Sequence, residues 1–235
     1  MKTFLKTLAA ASLATAAMSA APATAQVSGK IAVISPTEVV LSTTALQNAY
    51  QQINTTYATQ RTTLAERTQQ YQTLLQQLDT NGDGQLDEAE QRAASQNAAQ
   101  VQQAQQLEQE IAQLSNQIER VRIYAVEQVL TQYNPALQQV IQQQQVQVVL
   151  NPNSVTYAAP DANIGDEVTA IINTTLPVAS ITPPQDWRPL RASVAMFQNV
   201  QEALLAVAQQ QAVAAAAQQQ QQPAQPTQPP APTGR

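Results

Sequence analysis

The chain has 235 residues, a formal net charge of −5, and neither cysteine nor histidine. It therefore lacks residues that the common catalytic triads, zinc sites and disulfides require, and we expect no enzyme. It has eleven basic and sixteen acidic residues without a basic cluster, so we expect no nucleic-acid partner. More than forty glutamines and only five glycines favour long helices over a compact globule.

Residues 1–25 have the features of a signal peptide. Lys2 and Lys6 precede an apolar run over residues 8–20, and the small residues Ala23-Thr24-Ala25 follow it. Cleavage before Gln26 would change the formal net charge from −5 to −7, because it removes two lysines and no acidic residue. The run is shorter than the roughly 20 strongly apolar residues of a transmembrane span. We therefore predict export from the cytoplasm, a cleaved signal peptide and no transmembrane segment.

Residues 26–43 are predicted to form the first strand and the short helix of a small body. The apolar run 30–34 predicts the strand. Ser35 at the N-cap, Pro36 at the first helical position and Glu38 three residues after the cap form a capping box. This pattern predicts that a helix begins directly after the strand.

Residues 44–145 are predicted to form a helical hairpin, because apolar residues recur at heptad spacing in two segments. The first segment contains Tyr50, Ile53, Tyr57, Leu64, Tyr71, Leu74 and Leu78. The second segment contains Ala104, Leu107, Ile111, Leu114, Ile118, Val121 and Ala125. We expect antiparallel arms, the first running from Thr44 to Leu78 over about 50 Å, and the second ending or bending at Pro135. Because glutamine and threonine fill most other positions, this seam is thin and requires a supporting sheet or further copies of the chain.

Residues 79–90 join the two arms and match the twelve-residue calcium loop of EF-hands. Gly84 occupies the position of the sharp turn. The predicted Ca²⁺ ligands, all oxygens, are Asp79, Asn81, Asp83, the backbone carbonyl of Gln85, Asp87 through a water, and Glu90. We expect one weak site that stiffens the junction. The alternative is an acidic turn that joins two helices without a metal.

Residues 146–177 are predicted to complete the body. The apolar run 146–150 and the alternating run 154–158 flank a turn at 151–153, which predicts a hairpin of two strands. The helix that follows is predicted to end at Pro177. Its apolar residues on one side are Val168, Ile171, Ile172 and Leu176.

Residues 178–217 are predicted to form a Pro-rich linker and an extra helix. Trp187 is interpreted as a packing anchor for the linker. The apolar residues at helical spacing are Val194, Phe197, Leu204 and Leu205. Residues 218–235 contain mainly glutamine, proline, alanine and threonine and are predicted to be a disordered tail.

Three tyrosines of the first arm, Tyr50, Tyr57 and Tyr71, are candidate client-binding residues. An aromatic ring with a polar tip suits contacts with varied partners. The alternative is that these tyrosines belong to the seam and pack against the opposite arm.

The order of these elements resembles the Skp/OmpH family of periplasmic chaperones. Residues 30–34 resemble the opening strand of that family, and residues 148–157, VVLNPNSVTY, resemble its closing strands. Residues 166–172, DEVTAII, resemble its last helix. The resemblance extends over about residues 28–177. It implies a mostly helical α+β fold, with a small β-sheet body and a long antiparallel coiled-coil hairpin.

The resemblance also implies a homotrimer whose hairpins surround a cavity and hold unfolded outer-membrane proteins without ATP. The chain departs from the family pattern in its acidic charge, in the calcium loop at the hairpin tip, and in the segment after Pro177. A calcium-dependent coiled-coil spacer or tether of the cell envelope is the alternative function.

Overall fold

The computed structural model describes residues 29–85 and 87–220, and helices dominate this part of the chain. The two strands are β1 (Lys30–Val33) and β2 (Val146–Leu150). The helices are α1 (Pro36–Ser42), α2 (Thr44–Thr56), α3 (Ala58–Leu78), α4 (Glu88–Ser95), α5 (Ala98–Gln144), α6 (Gly165–Thr175) and α7 (Arg191–Gln220). The predicted fold class, mostly helical with a small sheet, is confirmed. The predicted signal peptide and residues 221–235 of the predicted tail lie outside the described residues.

β1 and β2 form a parallel two-stranded sheet. Lys30 is paired with Val146 and Val33 with Leu150, with an irregularity after Lys30. Parallel strands require a long crossover connection, and the helical hairpin provides it here. Val33 also forms an isolated parallel bridge to Asn163. The hairpin therefore starts and ends beside the same small sheet.

The predicted second strand at 154–158 is wrong. A short 3-10 helix, Pro152–Ser154, follows β2 after Asn151, and residues 155–220 contain no strand. The Asn151 side chain accepts a hydrogen bond from the Asn153 amide at 3.0 Å, and Pro152 has no amide hydrogen to donate. The chain therefore coils after β2 instead of reversing into a hairpin, and Tyr157 is left exposed.

The body core lies between β1, α1, the start of α2, the end of α5, α6 and the first half of α7. The Ser35 hydroxyl accepts a hydrogen bond from the Glu38 amide at 3.3 Å and begins α1, as predicted. The largest fully buried apolar side chains of this core are Val39, Val40, Leu46, Val126, Val129, Val140, Ile164, Val168, Ile172 and Val200.

The first arm of the hairpin consists of α2 and α3, which are separated at Tyr57. The second arm is α5, a helix of 47 residues that runs through Pro135 without ending. The predicted end or bend at Pro135 is therefore not a helix boundary. A proline inside a helix costs about 3 kcal/mol, and the burial of Ala136 and Val140 in the body core offsets this cost.

The arms outside the body contain little buried apolar surface. Leu74 is the buried residue of α3. On α5, Leu107 is the buried residue nearest the hairpin tip. A small cluster of Ile53, Ile118 and Val121 lies at the hairpin root, separate from the body core. The predicted thin seam is present. Within residues 29–85 and 87–220, no helix combines the length and hydropathy needed to cross a membrane.

Candidate functional site

The hairpin tip, residues 79–90, lies between the end of α3 at Leu78 and α4, which begins at Glu88. Asp79 accepts hydrogen bonds from the Gly82 amide at 2.7 Å and from the Gly84 amide at 2.8 Å. Gly82 and Gly84 have φ angles of +73° and +80°, a region in which residues with a Cβ are strained. These glycines allow the backbone to wrap around the Asp79 carboxylate.

Two further side chains of the tip bind the amide two residues later. The Asn81 side-chain oxygen accepts from the Asp83 amide, and the Asp83 carboxylate accepts from the Gln85 amide, both at 2.8 Å. Such local turns are typical of Asn and Asp. Asp87 caps α4 by accepting from the amides of Ala89 at 2.8 Å and Glu90 at 2.9 Å.

Glu90 closes the hairpin tip. Its side chain, 5% exposed, accepts from the Thr80 amide at 2.8 Å, the Thr80 hydroxyl at 2.9 Å and the Asn81 amide at 3.1 Å. Its second oxygen accepts from the Asp87 amide at 3.1 Å. These bonds, that from Asp87 foremost, hold the pKa of Glu90 below its usual value although burial acts in the opposite direction. The last predicted ligand is therefore joined to the start of the loop.

The six predicted ligands form an all-oxygen donor set, which suits Ca²⁺. In the structure, the side chains of Asp79, Asn81, Asp83, Asp87 and Glu90 bind amides of the same loop. No three acidic side chains in the described part of the chain are grouped around one point as metal ligands. The residue types fit calcium, and coordination would require some side chains to turn from the backbone amides toward the ion.

The three candidate client-binding tyrosines are all partly buried and do not form one patch. They lie seven and fourteen residues apart, which corresponds to about 10 Å and 20 Å along a helix. Burial raises the pKa of Tyr50 to about 12, and the Arg122 guanidinium lies 5.9 Å from its ring centre. Tyr57 packs against the cluster at the hairpin root. Tyr71 donates a hydrogen bond to Glu108 on α5, and this bond raises the pKa of Tyr71.

One contact surface was not predicted from the sequence. The C-terminal strap, defined here as residues 178–190, crosses α5 near the hairpin root. The Glu127 carboxylate accepts hydrogen bonds from the Trp187 indole at 2.8 Å and from the Leu190 amide at 3.0 Å. Gln128 both donates to and accepts from the Ser180 backbone, at 2.9 Å in each case. Trp187 thus anchors the strap to α5.

The same face of α5 holds Trp187 by two more contacts. Tyr124 meets its ring edge to face, with 5.0 Å between ring centres. The Arg120 guanidinium lies 5.2 Å from the ring centre and donates to the Trp187 carbonyl at 2.7 Å. The spacing of Arg120, Tyr124, Glu127 and Gln128 puts them on one helix face. Two charged residues and a glutamine at this spacing are the sequence signal for a polar contact surface on α5. The many other glutamines of this helix make that signal hard to recognise.

Glu127 is the acidic residue at the centre of this surface. Burial disfavours its charge, but hydrogen bonds from the Leu190 amide and the Trp187 indole outweigh this effect. Together they hold the pKa of Glu127 below its usual value. The strap is therefore bound to the charged form of this carboxylate.

A protein-family model described as outer membrane protein (OmpH-like) matches residues 30–172. The chain belongs to the OmpH-like family. A similar solved structure is the crystal structure of a candidate outer membrane chaperone (OmpH-like) from Caulobacter crescentus CB15. It is 20% identical with a TM-score of 0.35, and the match covers 70% of this chain and 93% of that one. No curated protein matches the chain significantly.

Membership of the OmpH-like family supports a general chaperone role, a periplasmic location and a non-enzymatic function. The matched region contains the hairpin tip, the three tyrosines and Glu127. It ends within α6, before the C-terminal strap and α7. The part of the chain that binds Glu127 therefore lies outside the region that defines the family.

Proposed function

We propose that this chain is an ATP-independent periplasmic holdase that binds unfolded outer-membrane proteins as a homotrimer. The observation that carries the proposal is the unequal packing of the OmpH-like region. A well-packed body supports two long arms that bury only a single narrow stripe between them. Arms held by few buried contacts open at low free-energy cost, and such arms can enclose clients of different sizes.

The body has features that support association with further copies. Its sheet has only two strands, and a sheet of this size is marginal without additional packing. Ile31 on β1 and Val148 on β2 are large apolar side chains left exposed. Three copies that meet at these sheets would cover this surface and direct their hairpins around a common space.

The test is suppression of aggregation of a denatured β-barrel outer-membrane protein after dilution, without ATP. The mature chain is expected to keep the client soluble, and light scattering is expected to give three times the mass of one chain. An Ile31→Gln/Val148→Gln variant should have the mass of a single chain by light scattering and should lose holding activity. Val178→Gln, at another exposed apolar position, is the matched control and should retain both. A monomeric wild-type chain without holding activity would contradict the proposal.

We also propose that the hairpin tip binds one Ca²⁺ ion. The oxygen donor set, the two glycines with positive φ and the return of Glu90 to the loop start support this proposal. Asp79, Asn81, Asp83 and Glu90 would supply side-chain oxygens, Gln85 its backbone carbonyl, and Asp87 a contact through a water. A single exported site is expected to have a dissociation constant on the order of 10⁻⁴ to 10⁻³ M.

Calorimetric titration of the wild type with CaCl₂ measures this site directly. Asp79→Ala and Glu90→Ala are expected to abolish the binding signal. Asp161→Ala, which removes an acidic residue outside the tip, should leave it unchanged. A wild-type isotherm that equals those of the two loop variants would show that the tip is only a turn.

The calcium-dependent tether is the second candidate, and the exposed position of most of the hairpin tip favours it. A tether has no effect on client aggregation but associates through its tips when calcium is added. Measuring the mass with and without CaCl₂, alongside the aggregation assay, separates the two functions.

A further inference from the structure

The distal part of α7 differs from the rest of the helix in its surroundings. In its first half, Ser193, Phe197 and Val200 are buried against the body. From Leu204 to Ala217 every side chain is exposed, over about 20 Å of helix. Leu204 is 40% and Val207 49% exposed. The helix therefore extends past its own body with apolar side chains in solvent.

The buried stripe of α7 continues without a change of register into this exposed half. The stripe residues are Ser193, Phe197, Val200, Leu204, Val207, Gln211 and Ala214, with steps of 4, 3, 4, 3, 4 and 3. This heptad spacing is that of a coiled-coil seam. The first three positions pack on the chain's own body, and the next four lack packing from this copy. Gln211 is a single polar residue in the exposed seam, a feature that selects register in coiled coils.

The composition of this half indicates what packs on it. Residues 203–220 contain no charged residue, and alanines flank the seam at 203, 208 and 215. Without lysine or arginine there is no attraction to an anionic lipid surface, and without any charge there is no complementarity to a charged protein. An uncharged heptad face with small flanking residues is complementary to another copy of itself.

We propose that the exposed half of α7 is an interface between copies of this chain, in which the seam from Leu204 to Ala214 packs against the same seam of a second copy. This contact would lie outside the family region, and it does not rest on the proposed holdase function. It would add a second point of association to any contact made by the body. We take the two helices to be parallel, so that equivalent residues face each other and Val207 meets Val207 of the second copy.

Cysteine cross-linking tests this interface in the full mature chain, because the chain has no cysteine of its own. Val207→Cys is expected to form disulfide-linked pairs at least about tenfold faster than Val213→Cys, because a disulfide requires Cα atoms within about 7 Å. Val213 is the matched control: it is also an exposed valine of α7, at 71%, but lies off the seam. Equal rates at the two positions, or no cross-linking at Val207, would overturn the proposal.

A second variant separates self-association from client binding. Leu204→Gln/Val207→Gln removes both large seam residues from an exposed surface, so its fold should be retained. If it loses holding activity while Val207→Cys fails to cross-link, the face binds clients and the proposed interface is wrong. Cross-linking is measured without client, so its success or failure is independent of the holdase result.

Discussion

The body and the arms of this chain are stabilised by different amounts of buried apolar surface. The body brings five helices and two strands around one core. α3, with 21 residues, contributes Leu74 as its buried side chain. One chain can therefore combine a stable body with arms of low local stability. Burial of apolar surface is the main stabilising contribution, and it is concentrated in the body.

The largest expected effect is in the body. Ile172→Ala removes a fully buried side chain of α6, and we expect a loss of about 2–4 kcal/mol in the free energy of unfolding. Chemical denaturation measures it. Leu74→Ala is the matched change in the arm, and we expect a loss of only about 1 kcal/mol because the arm can adjust around the missing atoms. Hydrogen exchange should then increase in the arm alone; equal losses in the two variants would contradict the contrast between body and arms.

The strap crosses α5 near the hairpin root, and Glu127→Gln tests its attachment. The substitution keeps the shape of the side chain but removes the charge that strengthens the bonds from Trp187 and Leu190. We expect a loss of about 1 kcal/mol. Trp187 is the only tryptophan of the chain, so its fluorescence reports the strap directly. Glu119→Gln, at an exposed position of α5, is the control, and an emission change of the same size there would contradict the assignment.

The attachment of the strap should also depend on pH. Because the folded-state pKa of Glu127 lies below its usual value, its stabilising contribution is complete above the ordinary glutamate pKa of about 4.3. It is lost as the pH falls through the lower folded-state value. Trp187 emission should therefore be constant between neutral pH and about pH 5 and should change below about pH 4. Glu127→Gln should reduce this acid transition; an unaltered transition would exclude Glu127 as its cause.

The smallest expected effect lies where α5 returns to the sheet. Gln145 ends α5 with φ +55° and ψ +39°, a left-handed conformation that strains residues with a Cβ. Gln145→Gly is expected to raise the free energy of unfolding by about 0.5–1 kcal/mol, because glycine adopts this conformation without strain. Gln142→Gly, inside the same helix, should lower it by about as much. Thermal unfolding compares the two, and destabilisation by both would contradict the prediction.

The sequence predicted the parts of the fold that depend on local pattern. Heptad spacing indicated the two arms, and Ser35 marked the start of α1, because periodicity and capping involve residues close in sequence. The positions of the glycines predicted the turns of the hairpin tip. Calcium binding at the tip and client binding by the tyrosines stay predictions.

The parts that were wrong or missed depend on residues far apart in sequence. The second strand at 154–158 was predicted from alternation, but β2 pairs with β1 across the hairpin, and the turn at Asn151 leads the chain into a 3-10 helix. The predicted helix end at Pro135 was wrong, because burial of the residues after it keeps α5 continuous. Glu127 gave no distinct signal, because its partners lie about 60 residues later in the chain.

The sequence by itself determined that this is a helical hairpin on a small body, since helix period, caps and turn glycines act within a few residues. Only the tertiary structure decided that the strap closes on Glu127, that the sheet is parallel, and that half of α7 is buried while the other half is exposed. The physical reason is that burial depends on which surfaces pack together in the folded protein. A heptad pattern predicts that a helix face packs, but it does not identify whether the partner is the same chain or another copy.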